Sequence, residues 1–234
     1  AIFDFTSLLT DNDDAPQKVF SDVEERLDEL STDPIDQVGI PTGFGRYDFA
    51  IGGGLRKGTV NVIGARPKTG KTLFAENAGI YIAHKLGIPV LNLDTEMMRK
   101  DHQDRGIAML TEVAINDIET GQFASNSYKN QKIRDTAEKV KDIPYYHKSI
   151  GGKPFEDQLS IMRRWLAKEV GVNAQGKSND CVIIYDYLKI MDSADISGDM
   201  KEYQALGFLM TSLHNFAIRY EVPVLAFVQL NRDG

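Results

Sequence analysis

The feature that most constrains this chain is an apolar segment that leads into a loop of glycine, lysine and threonine. Residues 59–64 read Thr-Val-Asn-Val-Ile-Gly, and residues 65–72 read Ala-Arg-Pro-Lys-Thr-Gly-Lys-Thr. Apolar or small side chains then recur with helical spacing, so we expect a helix from Leu73 to Leu86. The sequence therefore predicts a strand, a loop and a helix in direct succession.

A loop of this composition between a strand and a helix is typical of a phosphate-binding site. Successive backbone N–H groups point inward, and the helix N-terminus adds partial positive charge, so both attract phosphate oxygens. We expect the Lys71 side chain to contact the β and γ phosphates of a nucleotide, and the Thr72 hydroxyl to bind Mg²⁺. The residues predicted to surround the phosphates are Ala65, Arg66, Pro67, Lys68, Thr69, Gly70, Lys71, Thr72 and Leu73.

The loop departs from the usual pattern at its first position. That pattern is a glycine, four residues and then Gly-Lys-Ser or Gly-Lys-Thr. Counting back from Gly70 places Ala65, rather than Gly64, at the first position. A methyl group is small enough to leave the path of the loop open, so we interpret the site as intact. The alternative is a Gly-Lys-Thr that occurs by chance in a surface loop.

The composition is that of a globular chain. It has 234 residues, 42% of them hydrophobic, which can fill the core of one large domain or two small ones. No run approaches the ~18 apolar residues of a membrane span, and no charged-then-apolar leader begins the chain. We therefore expect a soluble, unsecreted, cytoplasmic protein without a membrane partner. The single cysteine, Cys181, indicates a reducing compartment and a buried thiol.

The negative charge is concentrated at the N-terminus. The formal net charge is −7, but residues 1–37 carry eleven acidic side chains against Lys18 and Arg26. This arm therefore sums to −9 and residues 38–234 sum to +2. A nearly neutral body can present a local basic surface to a polyanion, although its composition does not require one.

The acidic arm contains one periodic segment. Residues 1–14 lack periodicity and are interpreted as a flexible tail. From about residue 15 to residue 30, apolar side chains repeat at steps of three and four, which predicts an amphipathic linker helix. Two alternatives stay open: this helix folds back on its own domain, or it docks on another subunit. Its apolar residues are Phe20, Val23, Leu27 and Leu30.

Short apolar runs alternate with helical patterns along residues 38–234. Such alternation requires crossover connections, and it predicts an α/β domain with a mostly parallel sheet covered by helices on both faces. Ligands of such sheets bind beyond the carboxyl ends of the strands. After the first strand, the predicted strands are residues 90–93, 143–146, 181–185 and 224–228, and the predicted helices are about 100–110, 126–140, 154–170 and 202–220.

Acidic residues follow two of the predicted strands. After residues 90–93 come Asp94 and Glu96, and a carboxylate there can orient a water toward the γ-phosphate. We favour Glu96 for this role over Asp94. The run 181–185 ends at Asp186, whose carboxylate is predicted to hold Mg²⁺ or one of its waters.

The last predicted strand ends at a neutral amide, Gln229. An amide can hydrogen-bond a γ-phosphate that is present before hydrolysis and absent after it, so Gln229 is a candidate sensor of nucleotide state. The alternative is that Gln229 only caps the strand. The four histidines are scattered without metal-ligand spacing, and we assign them to surfaces or satisfied polar contacts; they are His84, His102, His147 and His214.

Taken together, these residues resemble the DnaB-type replicative helicases, a group of RecA-like ATPases. The resemblance runs from about Lys18 to Arg232, and the alanine at the start of the phosphate loop is similar to that family's own usage. Lys18-Val19-Phe20 also looks like the family's linker helix. The most specific segments are Ala65-Arg66-Pro67 with Gly70-Lys71-Thr72, Thr95-Glu96-Met97, residues 118–123, Asp186-Tyr187-Leu188 and Gln229-Leu230-Asn231-Arg232.

The resemblance implies a ring-shaped, hexameric ATPase that uses ATP and Mg²⁺ to move along single-stranded DNA and separate forked duplex DNA. Primase or a helicase loader would be further partners. It also implies catalytic roles for Lys71, Glu96 and Gln229, metal binding by Thr72 and Asp186, and a DNA-facing loop at about Ser193 to Lys201.

Two departures from the family qualify this expectation. The sequence stops at Gly234, before the family's arginine finger, and it lacks the family's N-terminal helical domain. We therefore expect either part of a longer protein or a reduced, phage-type member. Because an arginine finger is worth roughly 10³ or more in rate, hydrolysis by this chain alone is expected to be slow.

Two rival functions share the fold. One is a RecA-like recombinase mediator or clock-type ATPase, in which nucleotide controls assembly without unwinding. The other is an inactive assembly or loader partner that keeps the fold for its contacts. The Arg66-Pro67 pair and the residues from Gln229 onward speak against the first rival.

Overall fold

The computed structural model describes residue 16, residues 18–188 and residues 202–230. The chain divides into two compact units, residues 1–36 and residues 37–234. The predicted tail and the predicted DNA-facing loop at about Ser193 to Lys201 lie outside the described residues, as do Asn231 and Arg232.

The larger unit is built on a parallel sheet, as the sequence predicted. In the described residues the sheet has five strands in the order β1-β5-β4-β2-β3, and every neighbouring pair is parallel. The predicted α/β fold class is therefore confirmed. The strands are β1 Val60–Ala65, β2 Val90–Asp94, β3 Tyr145–Ser149, β4 Val182–Leu188 and β5 Val224–Gln229.

Helices connect consecutive strands, since parallel neighbours cannot be joined by tight hairpins. α3 ends in a π-helical turn, Tyr81–Lys85, and α7 ends in another, Leu166–Val170. The helices are α1 Val23–Thr32, α2 Gly45–Ala50, α3 Lys71–Ile80, α4 Arg99–Thr111, α5 Ile115–Glu119, α6 Ser127–Val140, α7 Phe155–Trp165 and α8 Glu202–Tyr220, with a 3-10 turn at Gln122–Ser125.

The sheet is buried on both faces. Along a strand, successive side chains point to opposite faces, so Ile183 and Ile184 enter different cores. Ile183 packs in a core with residues of α7 and α8, including Trp165 and Leu213. Ile184 packs in a second core with residues of α3. This two-sided burial explains why the central strands are almost continuously apolar.

The segment ahead of β1 is held by a buried aspartate in the larger unit. Asp48 of α2 accepts hydrogen bonds from the backbone N–H and the hydroxyl of Thr42, at 3.0 and 2.7 Å. The backbone carbonyl of Asp48 also accepts the N–H groups of Gly53 and Gly54, at 2.8 and 3.1 Å. The glycine-rich entry is therefore a fixed structure that includes a helix the sequence pattern did not predict.

Several boundaries differ from expectation. The linker helix begins at Val23 rather than near residue 15, because residues 19–22 form turns. β3 begins two residues later and ends three residues later than predicted, and it includes Lys148 and Ser149. An edge strand is paired on one side only, so polar residues are tolerated there and an apolar run does not mark its limits. The pattern also missed α5 and the 3-10 turn.

None of the described helices combines the length and the apolar character that crossing a bilayer requires.

The two-sided core gives a stability prediction. Leu213 on α8 is fully buried, so Leu213→Ala is expected to lower the free energy of unfolding by about 2–5 kcal/mol. Ile218 lies on the same helix with half its surface exposed, so Ile218→Ala is expected to cost only about 0.5 kcal/mol. Urea denaturation followed by circular dichroism measures both, and equal losses would contradict this placement of α8.

Candidate functional site

The loop between β1 and α3 is held by its own hydrogen bonds. The Thr69 hydroxyl donates to the Arg66 carbonyl at 2.6 Å, and the Lys71 ammonium lies 3.5 Å from the same oxygen. Gly70 has φ 101°, a conformation that residues with a Cβ rarely adopt, so glycine is required where the loop enters the helix. The loop therefore has the strand, turn and helix arrangement that the sequence predicted.

The N-terminus of α3 is available to an anion. In the described part of the chain no side chain caps this helix, which begins at Lys71 directly after Gly70. The first backbone N–H groups of a helix have no partner within it, and together with the helix dipole they attract negative charge. The end of the loop thus offers backbone donors as well as the Lys71 ammonium.

Strand register brings the predicted site residues to one edge of the sheet. Ala65 at the end of β1 is paired with Gln229 of β5, and Asp94 of β2 is paired with Asp186 of β4. The side-chain alternation places Asp94, Asp186 and Gln229 on the face covered by α3. Gln229 is exposed and stands beside the start of the loop.

Asp186 is a buried carboxylate beside the loop. Burial raises its pKa to about 6, against the lowering effects of the Thr72 hydroxyl and the Lys71 ammonium. The side chain is 3% exposed, and neither carboxylate oxygen makes a hydrogen bond of normal geometry within the described residues. A buried oxygen pair without donors suits a cation, because a bound cation would replace the lost solvation.

The residues present fit Mg²⁺. This ion prefers oxygen ligands and is commonly held by one or two protein groups together with substrate phosphates and water. Thr72 and Asp186 supply two such groups next to a phosphate-type loop. Over residues 18–188 and 202–230, no set of three or more His, Cys, Asp or Glu side chains forms a complete metal cage. The protein groups therefore provide a partial coordination sphere.

Tyr187 connects Glu96 to the loop. Its hydroxyl donates to Glu96 Oε1 at 3.0 Å, and the Lys71 ammonium lies 5.6 Å from the centre of its ring. Desolvation and the neighbouring Glu96 carboxylate raise the pKa of Tyr187. β4 is irregular between Tyr185 and Leu188, which lets both Asp186 and Tyr187 approach the loop. The local sequence pattern gives Tyr187 no role of its own, although this residue directly follows Asp186.

The two acidic candidates after β2 have different surroundings. Asp94 is 2% exposed, and its Oδ1 accepts the backbone N–H groups of Glu96 and Met97, each at 2.6 Å. Its Oδ2 lies 3.1 Å from His102 Nε2. The Glu96 side chain is exposed and accepts a hydrogen bond from Tyr187. Both oxygens of Asp94 thus contact protein groups, whereas the Glu96 side chain is accessible to solvent.

His102 lies between two buried carboxylates. Its Nδ1 is 2.6 Å from Glu76 Oε2, and its Nε2 contacts Asp94. Burial alone would lower the pKa of His102, but its hydrogen bonds to Asp94 and Glu76 and their charges raise it to about 9. Burial alone would raise the pKa of Asp94, whereas the hydrogen bonds from His102 and the two N–H groups hold it below its usual value. The sequence pattern gave no signal for this cluster.

Comparisons with known proteins agree with this geometry. Residues 39–234 match the family model described as the DnaB-like helicase C-terminal domain. The replicative DNA helicase DnaB of Helicobacter pylori is 28% identical over 203 residues, which cover 85% of this chain and 38% of that protein. The chain thus spans well under half the length of this relative.

Two solved structures share the fold. One, described as an ATPase domain, has a TM-score of 0.79 at 19% identity and covers 94% of this chain and 73% of its own. The other is a DnaB-like replicative helicase studied with its interactions with primase; its TM-score is 0.76 at 19% identity, over 98% of this chain and 53% of its own. The RecA-like fold that the sequence predicted is confirmed.

The buried histidine gives a pH prediction. The pKa of His102 in the folded chain, about 9, lies above its ordinary value of 6.5. Its contribution to the free energy of unfolding is therefore fully present below about pH 6.5 and is lost as pH rises through 9. This loss is on the order of 3 kcal/mol in the free energy of unfolding. NMR titration of the ring should give a midpoint near 9.

The matched variant is Glu76→Gln, which keeps the side-chain shape and removes one negative partner. We expect its His102 midpoint to fall below that of the unmodified chain. A His102 ring that titrates at or below 6.5 in the unmodified chain would contradict the geometry.

Proposed function

Because the chain belongs to the DnaB-like helicase C-terminal domain family, we propose that it is the ATP-driven motor of a ring-shaped replicative helicase. In this proposal the domain hydrolyses ATP, and the assembled ring moves along single-stranded DNA and unwinds the duplex ahead of it. The observation that carries the proposal is the meeting of Lys71, Thr72 and Asp186 at the carboxyl edge of the sheet, with Glu96 joined to them through Tyr187.

The loop and the metal ligands bind and orient the substrate. The backbone N–H groups of the loop and the Lys71 ammonium bind the phosphates. Thr72 and Asp186 would hold Mg²⁺, which would supply positive charge to offset the charge that develops on the transferred phosphate. The nucleotide-binding set is Ala65, Arg66, Pro67, Lys68, Thr69, Gly70, Lys71, Thr72 and Leu73.

Glu96 acts as the residue that orients the attacking water. Its exposure supports this assignment over Asp94, whose two oxygens already bind protein groups. The hydroxyl of Tyr187 fixes one Glu96 oxygen and leaves the other to accept a hydrogen bond from water. Phosphoryl transfer depends mainly on positioning and charge stabilisation, so this restraint is part of the catalytic device.

Gln229 is the proposed sensor of nucleotide state. It is paired with Ala65 at the end of the neighbouring strand, so it lies beside the first residue of the loop. A hydrogen bond to the terminal phosphate would be made before hydrolysis and lost afterwards, and β5 would transmit that difference to the residues that follow.

The partners follow from the same assignment. A related solved helicase was studied with primase, and we propose primase or a helicase loader, together with single-stranded and forked DNA, as partners of this chain. The ring is proposed to be a hexamer. Its work on replicating DNA would take place in the cytoplasm of a bacterial or phage-infected cell.

The arm is proposed to join neighbouring subunits. α1 exposes apolar side chains in the described chain: Phe20, in the turn just before it, is 78% exposed, and Leu27 is 59% exposed. Burying such residues against a neighbour would be favourable by the hydrophobic effect. Docking on another subunit is therefore the role proposed for these apolar side chains.

The catalytic assignment is tested with two variants. Lys71→Ala is expected to abolish ATP binding or turnover, because it removes the cation that binds the phosphates. Glu96→Gln keeps the shape of the side chain but removes its negative charge and one of its two acceptor oxygens, so it is expected to bind ATP and to lose turnover by about 10²-fold or more. Nucleotide binding and phosphate release are measured separately.

The same proteins are then tested for strand displacement on a forked duplex. The unmodified chain is expected to displace the strand slowly with ATP, and both variants are expected to show no displacement. Lys100 is exposed, and Lys100→Ala serves as the control for the loss of a lysine outside the phosphate loop. Unchanged ATPase activity in Lys71→Ala would remove the central assignment, and turnover without displacement would favour an ATPase that controls assembly.

Deleting residues 1–33 is expected to shift the assembly toward monomers, because it removes the helix proposed to dock on the neighbour. Size-exclusion chromatography with light scattering measures the mass. Deleting only residues 1–14, which precede the helix, is the control and is expected to leave the assembly unchanged. The same hexamer after the longer deletion would rule out docking by the arm.

A further inference from the structure

A chain of buried hydrogen bonds runs beneath the candidate catalytic residue. Its three side chains come from separate elements: Glu76 from α3, His102 from α4 and Asp94 from the end of β2. They are 3%, 4% and 2% exposed, so water contributes little to their solvation. Burying three ionisable groups is costly unless they pair with one another, and here each does.

The imidazole ring uses both nitrogens. Nδ1 is 2.6 Å from Glu76 Oε2, and Nε2 is 3.1 Å from Asp94 Oδ2. Each nitrogen faces a carboxylate oxygen, so a ring that donates from both is an imidazolium ion. The raised pKa of His102 and the lowered pKa of Asp94 agree with this charge state.

Asp94 uses its second oxygen to hold the backbone of the next residues. Oδ1 accepts from the N–H groups of Glu96 and Met97, each at 2.6 Å. The Asp94 carboxylate therefore contacts His102 through one oxygen. Through the other oxygen it contacts the backbone of the turn that contains Glu96 and Met97. If the Asp94 side chain rotated, these two backbone donors would lose their acceptor.

We propose that His102 is a positioning residue for Glu96, and that it acts by fixing the rotamer of Asp94, which in turn holds the backbone of the turn that carries Glu96. The continuous path is Glu76 Oε2, His102 Nδ1, His102 Nε2, Asp94 Oδ2, Asp94 Oδ1 and the N–H of Glu96. This proposal rests on the proposed role of Glu96.

The path also joins the two halves of the site. Glu76 lies four residues after Thr72, one turn further along the helix that the phosphate loop enters. Through His102, this helix is tied to the turn that carries Glu96 on the other side. The phosphate-binding and water-orienting groups are thereby held at a fixed separation, which phosphoryl transfer requires.

The first test removes the ring. In His102→Leu, kcat for ATP is expected to fall about tenfold to a hundredfold while the Kd for nucleotide changes less than about twofold, because only the water-orienting side of the site is disturbed. Exposed His214→Leu is the matched control and is expected to match the unmodified chain in both quantities.

The second measurement does not depend on turnover. Residue-resolved amide hydrogen exchange of the nucleotide-free chain reports the N–H groups of Glu96 and Met97 directly. In His102→Leu their exchange is expected to quicken about tenfold, while amides of the core strands β4 and β5 keep their protection. A general loss of structure would instead raise exchange in those strands as well.

A second pair of variants keeps the test decisive if His102→Leu does not fold. Asp94→Ala leaves the pair of His102 and Glu76 in place but removes the acceptor of the two N–H groups, and it is expected to reproduce both effects. Asp94→Asn retains an oxygen acceptor in the same place, and it is expected to recover the protection of both amides and most of kcat relative to Asp94→Ala.

The outcomes separate the two proposals. If Glu96→Gln retains full turnover, the assigned role of Glu96 fails. If Glu96→Gln loses turnover but His102→Leu or Asp94→Ala keeps both its kcat and the protection of the Glu96 and Met97 amides, the positioning role fails and the proposed function stands. Loss of kcat with the amides still protected would also overturn the positioning role.

Discussion

The register of the parallel strands is the constraint on which the site depends. Pairing of Ala65 with Gln229, and of Asp94 with Asp186, brings four strand ends to one edge and sets the direction of each side chain. A slip of one residue in any pair would turn its acidic or amide group to the opposite face. The apolar cores on both faces prevent that slip, because it would expose the buried residues of the strand. Packing far from the phosphate loop thus determines which groups meet beside it.

Two buried carboxylates at this edge have different properties. Asp186 has no good hydrogen-bond donor in the described part of the chain, and burial raises its pKa, so it is suited to a cation that binds from outside. Asp94 is equally buried but is surrounded by donors, and its pKa is lowered. The Asp186 carboxylate would find its partner in a bound cation, whereas the Asp94 carboxylate finds its partners in donors of the protein itself. The same residue type therefore serves binding in one place and support in the other, and the difference comes from the neighbouring donors.

The sequence predicted those features that depend on short stretches of chain. The phosphate loop, the strand ends at Asp186 and Gln229, and the helix over Glu202–Tyr220 all follow from local pattern and spacing. Contacts between distant segments did not follow: Tyr187 and Glu96 are 91 positions apart, and His102 and Glu76 are 26 apart. The assignment of the histidines to surfaces or satisfied polar contacts includes His102, but nothing local identified its partners. The limits of β3 were missed because an edge strand needs no continuous apolar run.

The position of the single tryptophan determines what optical signal this chain can give. Trp165 is buried in the core formed by α7 and α8, and its ring packs edge-on against Tyr146 at 5.9 Å between ring centres. The candidate nucleotide site lies on the opposite face of the sheet, the face covered by α3. The fluorescence intensity of Trp165 will therefore change when this core unfolds. It will stay nearly constant when a nucleotide binds. A fluorescent reporter for nucleotide would have to be introduced on the α3 side, with the native indole kept as an internal monitor of folding.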